Sequence, residues 1–137
     1  AASVWDAITA ELICELDGQY CFGCAFFPDG ERLVTVSENF GVHEAVVWDI
    51  NLEARLGMFC GHEYINCCVV STVSDAVLSA GDDGMARFWG ASREFGGVEI
   101  CVFNCGNSQI RGCALFADGA RVATGSTDGQ LRIWKMP

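Results

Sequence analysis

Apolar and polar residues alternate along this chain in runs of six or seven, separated by turn-forming Gly, Asp and Pro. A period of two predicts β-strands with one buried face. The runs fall into sets of four. AELICEL (10–16), CFGCAFF (21–27), ERLVTVS (31–37) and EAVVWD (44–49) form the first set. ARLGMFC (54–60), INCCVVS (65–71), DAVLSAG (75–81) and MARFWG (85–90) form the second, and VEICVFN (98–104), IRGCALF (110–116), ARVATGS (120–126) and QLRIWK (130–135) the third. No stretch reads as a helix or as a linker, so the predicted fold is all-β and undivided over residues 1–137.

The sets are repeats. Trp5, Trp48, Trp89 and Trp134 are separated by 43, 41 and 45 residues, and Trp5-Asp6 recurs as Trp48-Asp49. Cys24, Cys68 and Cys113 each lie eleven residues before Thr35, Ser79 and Thr124. PDG at 28–30 and ADG at 117–119 mark equivalent turns, with TVSD at 72–75 between them. Four short strands per period of about 40–45 residues is the sequence form of a propeller blade.

With Gly61-His62 in front, Ser79 in the second strand, Asp83-Gly84 in a turn and Trp89 ending the third strand, the middle repeat resembles the WD-repeat family. The resemblance covers nearly the whole chain. It implies that His62, Ser79, Asp83 and Trp89 form a hydrogen-bonded tetrad inside the blade, with His62 structural. The third repeat matches at Thr124, Asp128 and Trp134 but carries Gly106-Asn107 where Gly-His is expected. The first matches at Thr35 and Trp48, has Gly18 at the His position, and carries a turn at 37–45 that is three residues longer and lacks the Asp. That blade is expected to be the least rigid.

The resemblance further implies three four-stranded blades, with sequence repeats at about 7–49, 50–90 and 91–135. The order of strands reads as the C-terminal three repeats of a longer propeller. Closed propellers need about four to eight blades. The expected architecture is therefore a partial propeller, open unless blades from the rest of a longer chain, or from self-association, complete it.

Composition narrows the function. The formal charge is −10, from 18 acidic and 8 basic residues. Such a chain repels phosphate, so direct binding to nucleic acid or to an anionic membrane is not expected. No apolar run approaches the roughly 20 residues of a membrane-spanning helix, and AASVWDA does not read as a signal peptide. Nine cysteines, an odd number, read as reduced thiols of an intracellular protein, cytoplasmic or nuclear. Cys21-x-x-Cys24 lacks the second pair and the converging histidines of a zinc site, so no metal is expected. G-x-S-x-G, P-loop and HExxH motifs are absent, so neither a cofactor nor an enzyme is expected.

What remains is binding. In WD propellers partners often dock where the innermost strands begin and the Asp turns emerge. Alignment of the repeats places Tyr20, Phe22, Tyr64, Asn66, Gln109 and Arg111 there, joined by Asp82 and Thr127 beside the turn aspartates. Aromatic and Arg side chains are enriched in interface hot spots. The expectation is a protein–protein scaffold or adaptor; the alternative is a module that reads a basic or modified peptide, such as one bearing methylated lysine.

Overall fold

A computed structural model of the chain describes residues 1–16, 20–59, 62–91 and 98–137. Among them are thirteen strands in four antiparallel sheets. β1 (Ala2–Trp5) pairs with β2 (Leu12–Leu16). β3 (Tyr20–Phe26), β4 (Arg32–Asn39), β5 (Val42–Asp49) and β6 (Ala54–Phe59) form the first complete blade. β7 (Ile65–Val70), β8 (Ala76–Gly81), β9 (Met85–Gly90) and β10 (Val98–Asn104) form the second. β11 (Ile110–Leu115), β12 (Arg121–Ser126) and β13 (Leu131–Lys135) form a three-stranded third. The repeats seen in sequence are thus offset from the blades. Each opens with the last strand of one sheet and continues with three strands of the next, giving sheets of two, four, four and three strands.

Among the described residues the sheets are open, with no barrel closure, and their cores lie between blades. Phe59 on β6 stacks on Trp89 of the next blade, with ring centroids 5.3 Å apart. Phe103 on β10 meets Trp134 of the third blade as a tilted pair at 5.5 Å. Leu16 on β2 holds the equivalent place in the cluster around Trp48. A sheet covered on both faces buries every residue of a strand, and one covered on a single face buries alternate residues. β8 is buried throughout, whereas β13 alternates between exposed and half-buried positions. Leu131 and Ile133 stand in solvent at one end of the stack, as Trp5 and Ile13 do at the other.

The segment 37–45 departs from the long turn expected of it. Its extra residues lengthen the strands instead. β4 and β5 pair from Arg32↔Asp49 out to Asn39↔Val42, leaving Phe40-Gly41 as the whole connection. Both have positive φ, 50° and 79°, the condition for a two-residue hairpin turn that matches strand twist. The added residues find partners across the ladder rather than looping out.

On the far end of the blades from this hairpin, Arg32 joins the first blade to the second. It is buried, with its guanidinium 4.4 Å above the Phe27 ring. Nε donates to Asp29 Oδ2 at 2.7 Å, Nη1 to the Ala91 carbonyl at 3.0 Å, and Nη2 to Asp75 Oδ1. Burial raises the Asp29 pKa, but hydrogen bonds from the Glu31 backbone N–H and from Arg32 outweigh it and hold the carboxyl below its ordinary value. Arg121 repeats the arrangement with Asp118 and the Phe116 ring, but as a half-exposed pair that reaches no further blade. Arg32→Ala is expected to cost about 1–3 kcal/mol, because it strips the hydrogen bond from the buried Ala91 carbonyl and removes the guanidinium from Asp29 and Asp75. Arg121→Ala is expected to stay within about 1 kcal/mol, as exposed pairs do. Paired urea melts of the two variants measure the difference.

Candidate docking face

The side chains at one end of the blades rest on a hydrogen-bonded relay beneath them. In the middle blade the Trp89 indole N–H donates to Ser79 Oγ at 2.8 Å. Ser79 Oγ lies 2.8 Å from His62 Nε2, and His62 Nδ1 lies 3.0 Å from Asp83 Oδ1. Indole can only donate, so the Ser79 hydroxyl gives its hydrogen to Nε2, and Nδ1–H points to the carboxylate. Burial lowers the His62 pKa further than the Asp83 charge raises it, so the ring stays neutral at pH 7. Burial raises that of Asp83, yet bonds from His62, Arg87 and the Met85 backbone N–H together hold it below the ordinary carboxylate value. Gly84 completes the turn at φ +75°; a side chain there would run into the Gly106 carbonyl of the loop after β10.

The flanking blades retain part of this relay. Trp48 Nε1 donates to Thr35 Oγ1 at 2.9 Å, and Trp134 Nε1 to Thr124 Oγ1 at 3.0 Å. The expected substitution of His by Asn107 in the third blade is corrected: Asn107 is exposed, and the group beside the Thr124 hydroxyl is the Cys105 thiol, 3.4 Å away. Asp128 does not close a tetrad. It accepts from Arg132 at 2.6 Å, from the Ser126 hydroxyl at 2.7 Å and from the Gln130 backbone N–H. The Arg132 guanidinium, the Ser126 hydroxyl and the Gln130 N–H hold its carboxyl well below the usual range. Gly18 and Gly61 lie outside the described residues.

Each innermost strand carries a β-bulge at the same repeat position. Pairing passes from Cys21↔Ser37 to Gly23↔Val36, from Ile65↔Gly81 to Cys67↔Ala80, and from Ile110↔Ser126 to Gly112↔Gly125. The unpaired residues are Phe22, Asn66 and Arg111. A bulge turns a side chain away from strict alternation, and here it directs one per blade toward the same end. Sequence spacing placed these three residues on that face; the bulges that aim them left no local signature, because no Gly or Pro marks all three.

Tyr20 is 70% exposed, Phe22 51% and Tyr64 47%. Between Phe22 and Tyr64 sits buried His43, with ring centroids 5.2 and 4.7 Å away. Its Nδ1 accepts a long bond, 3.4 Å, from the Ile65 backbone N–H. The hairpin tip projects from the same end, carrying Phe40 at 86% exposure. Gln109 and Thr127 bond each other through backbone and hydroxyl, and Arg111 donates to Gln109 Oε1.

Asn66, expected on the docking face, is also bonded within the scaffold. Its amide donates to Asp82 Oδ1 at 2.7 Å and to the Ile110 carbonyl at 2.8 Å, so it ties β7 to β11 across two blades. Both amide hydrogens, and the Asp82 oxygen, are committed within the scaffold. His43 and Phe40 are residues that sequence reasoning missed on this face: Phe40-Gly41 is a Gly-containing dipeptide, but no clear alternation flanks it to mark the strand ends. Among the described residues, no three His, Cys, Asp or Glu side chains converge as a metal-ion cage, and no helix is long and apolar enough to cross a membrane.

Stacked antiparallel blades of three or four strands, with a Trp–hydroxyl bond in each, define a partial β-propeller. The family profile described as WD domain, G-beta repeat, matches residues 53–90 and 97–135, together more than half of the chain. The chain belongs to the WD-repeat family. It is similar to WD repeat, SAM and U-box domain-containing protein 1 of Danio rerio, 27% identical over 125 residues, covering 90% of this chain and 25% of the relative. It is also similar to serine-threonine kinase receptor-associated protein of Dictyostelium discoideum, 26% identical over 133 residues, covering 96% of this chain and 43% of that one. The chain therefore spans less than half the length of either relative.

Two predictions concern the relay. Asp83→Ala is expected to cost about 1–3 kcal/mol by leaving buried donors unpaired, Trp89→Ala about 3–5 by opening a cavity, and Asn66→Ala about 1–2 by freeing the Ile110 carbonyl and Asp82. Tyr64→Ala should stay within about 1 kcal/mol, since half of that side chain is already in water. Thermal melts of the four variants give this ranking.

The second is a pH dependence. The folded pKa of His62 lies below its unfolded value of 6.5, so the unfolded chain takes up the proton first as pH falls. Stability is full above that value and declines below it; the lowered Asp83 adds a further decline below about pH 4. His62→Gln should flatten the loss between pH 7 and 5, read from urea midpoints across that interval.

Proposed function

We propose that this chain works as a protein–protein scaffold or adaptor, docking partners on the end of the blades that carries Tyr20, Phe22, Phe40, Tyr64, Gln109, Arg111 and Thr127. The supporting observation is the exposure of four aromatic rings on a scaffold whose strands beneath are locked by bulges, ladders and the Ser79–His62–Asp83 relay. Rigid aromatics lose little conformational freedom on binding and are over-represented among hot spots. Asn66 and Asp82 belong to the support of this face rather than to its contact set. Partners are other proteins or peptides, not nucleic acid or membrane, and the scaffold works without a cofactor or catalysis inside the cell. Further blades, from a longer chain or from self-association, would cover the uncovered faces at Leu131 and Trp5.

A second reading has its own support. Tyr20 pairs across the ladder with Glu38, which pairs with His43, and Glu63 precedes Tyr64. Aromatic rings bordered by carboxylates suit a cationic side chain, so a basic or methylated-lysine peptide is the alternative ligand.

The test is affinity capture from cell extract with the full protein and with Tyr64→Ala combined with Arg111→Glu, quantified by mass spectrometry. An adaptor loses its specific partners by about tenfold or more while the melt of the double variant holds. Partners retained in full by the variant place docking elsewhere. Binding of a trimethyl-lysine peptide measured by anisotropy, abolished by Tyr20→Ala, would favour the peptide reader.

A further inference from the structure

The repeat accounts for Cys24, Cys68 and Cys113, which share one position beside Thr35, Ser79 and Thr124. It does not account for Cys67. The corresponding residues of the other blades are Gly23 and Gly112, so this thiol is an addition peculiar to the middle blade. It stands immediately after the bulge at Asn66, and it faces the neighbouring blade. Its sulfur lies 2.8 Å from the Cys113 sulfur on β11. A formed S–S bond is about 2.05 Å, so closing the pair needs an approach of under about 1 Å. Asn66, one residue away, already fixes β7 against β11 through the Ile110 carbonyl. The two strands are therefore held in the placement that brings the sulfurs together. Both residues are half-buried rather than sealed, unlike Cys105, which is buried against Thr124.

We propose that Cys67 and Cys113 form an oxidation site, at which a hydroperoxide converts the thiol pair into a disulfide that links the innermost strands of adjacent blades. The hydrogen bond shared with Cys113 holds the Cys67 thiol below its ordinary value despite burial, and the same bond, with burial, pushes Cys113 up. Cys67 is accordingly the attacking sulfur, since the thiolate is the nucleophile. Its sulfur attacks the terminal peroxide oxygen, the O–O bond breaks, and the departing oxygen takes the thiol proton and leaves as water from hydrogen peroxide or as the alcohol from an organic hydroperoxide. The Cys113 sulfur then attacks the sulfenic sulfur of Cys67. The S–S bond forms, the S–O bond breaks, and water leaves with the Cys113 proton. The two sulfurs lose two electrons and the peroxide gains them. The link closes a long loop of chain and reduces the freedom of the unfolded state.

The full protein is reduced, freed of reductant, treated with a small excess of hydrogen peroxide, alkylated and digested. The expected result is a peptide joining Cys67 to Cys113 within a single chain, with the intact mass lower by two hydrogens. The melting temperature should rise by about 5–10 °C, and dithiothreitol should reverse both changes. Cys67→Ser and Cys113→Ser each remove the link and the rise, whereas Cys101→Ser keeps both. If a serine variant fails to fold, the pattern of alkylation in the unaltered chain decides alone. Recovery of Cys67 and Cys113 as separately alkylated or separately oxidised residues overturns the proposal, as does a link from either to another cysteine or to a second chain.

Discussion

Everything in this structure depends on each sheet being covered by its neighbour. A single blade has two apolar faces and no interior of its own. The side chains that close the gap are the Trp ending each third strand and the Leu16, Phe59 or Phe103 side chain of the preceding sheet. Burying a large aromatic from both sides contributes on the order of 1.5–3 kcal/mol, and this contact recurs at each junction. Stability in such an array is close to a sum of blade and junction terms. The burial patterns agree, since β8 between two blades is wholly buried and β13 at the end of the stack is not.

Apolar stacking alone leaves blades free to slide, and polar groups remove that freedom. The indole N–H buried in each junction needs an acceptor, and a hydroxyl on the second strand supplies it in all three blades. In the middle blade the requirement passes outward through His62 to Asp83, which links the dry junction to the exposed turn. At one end of the blades Arg32 spans two of them, and near the other, where Tyr20 and Tyr64 emerge, Asn66 does the same. The middle blade is thus held at both ends, and the bulged strand between carries the Cys67 thiol in a fixed position, with Tyr64 immediately before the strand. A rigid middle blade flanked by a lengthened hairpin suits a surface that must present aromatic rings without reorganising.

The blade-to-blade variation is where individual character resides. The third blade puts the Cys105 thiol beside Thr124 and a self-contained Asp128–Arg132 pair in the turn. The first puts Val46 where the other two blades have Arg87 and Arg132, and extends its hairpin to Phe40-Gly41. These changes leave the Trp–hydroxyl bond intact, so a common junction tolerates different outer ends.

The sequence by itself determined the class of fold, because a strand buried on a sheet face must alternate and a stacked blade must repeat. Trp48, Trp89 and Trp134 with Thr35, Ser79 and Thr124 were legible for that reason, as was the end of the blades at which Tyr20, Phe22, Tyr64 and Arg111 emerge. Tertiary structure decided what lies between blades. That Asn66 ties β7 to β11, that Cys105 and not Asn107 meets Thr124, that Arg32 reaches Ala91, and that Cys67 faces Cys113 all depend on partners about 20–60 residues away. The insertion at 37–45 reads as a long turn in sequence, because its length is visible there while its pairing is not. Alternation fixes which face a residue takes within its own strand; only the packing of one sheet on the next fixes what that face meets.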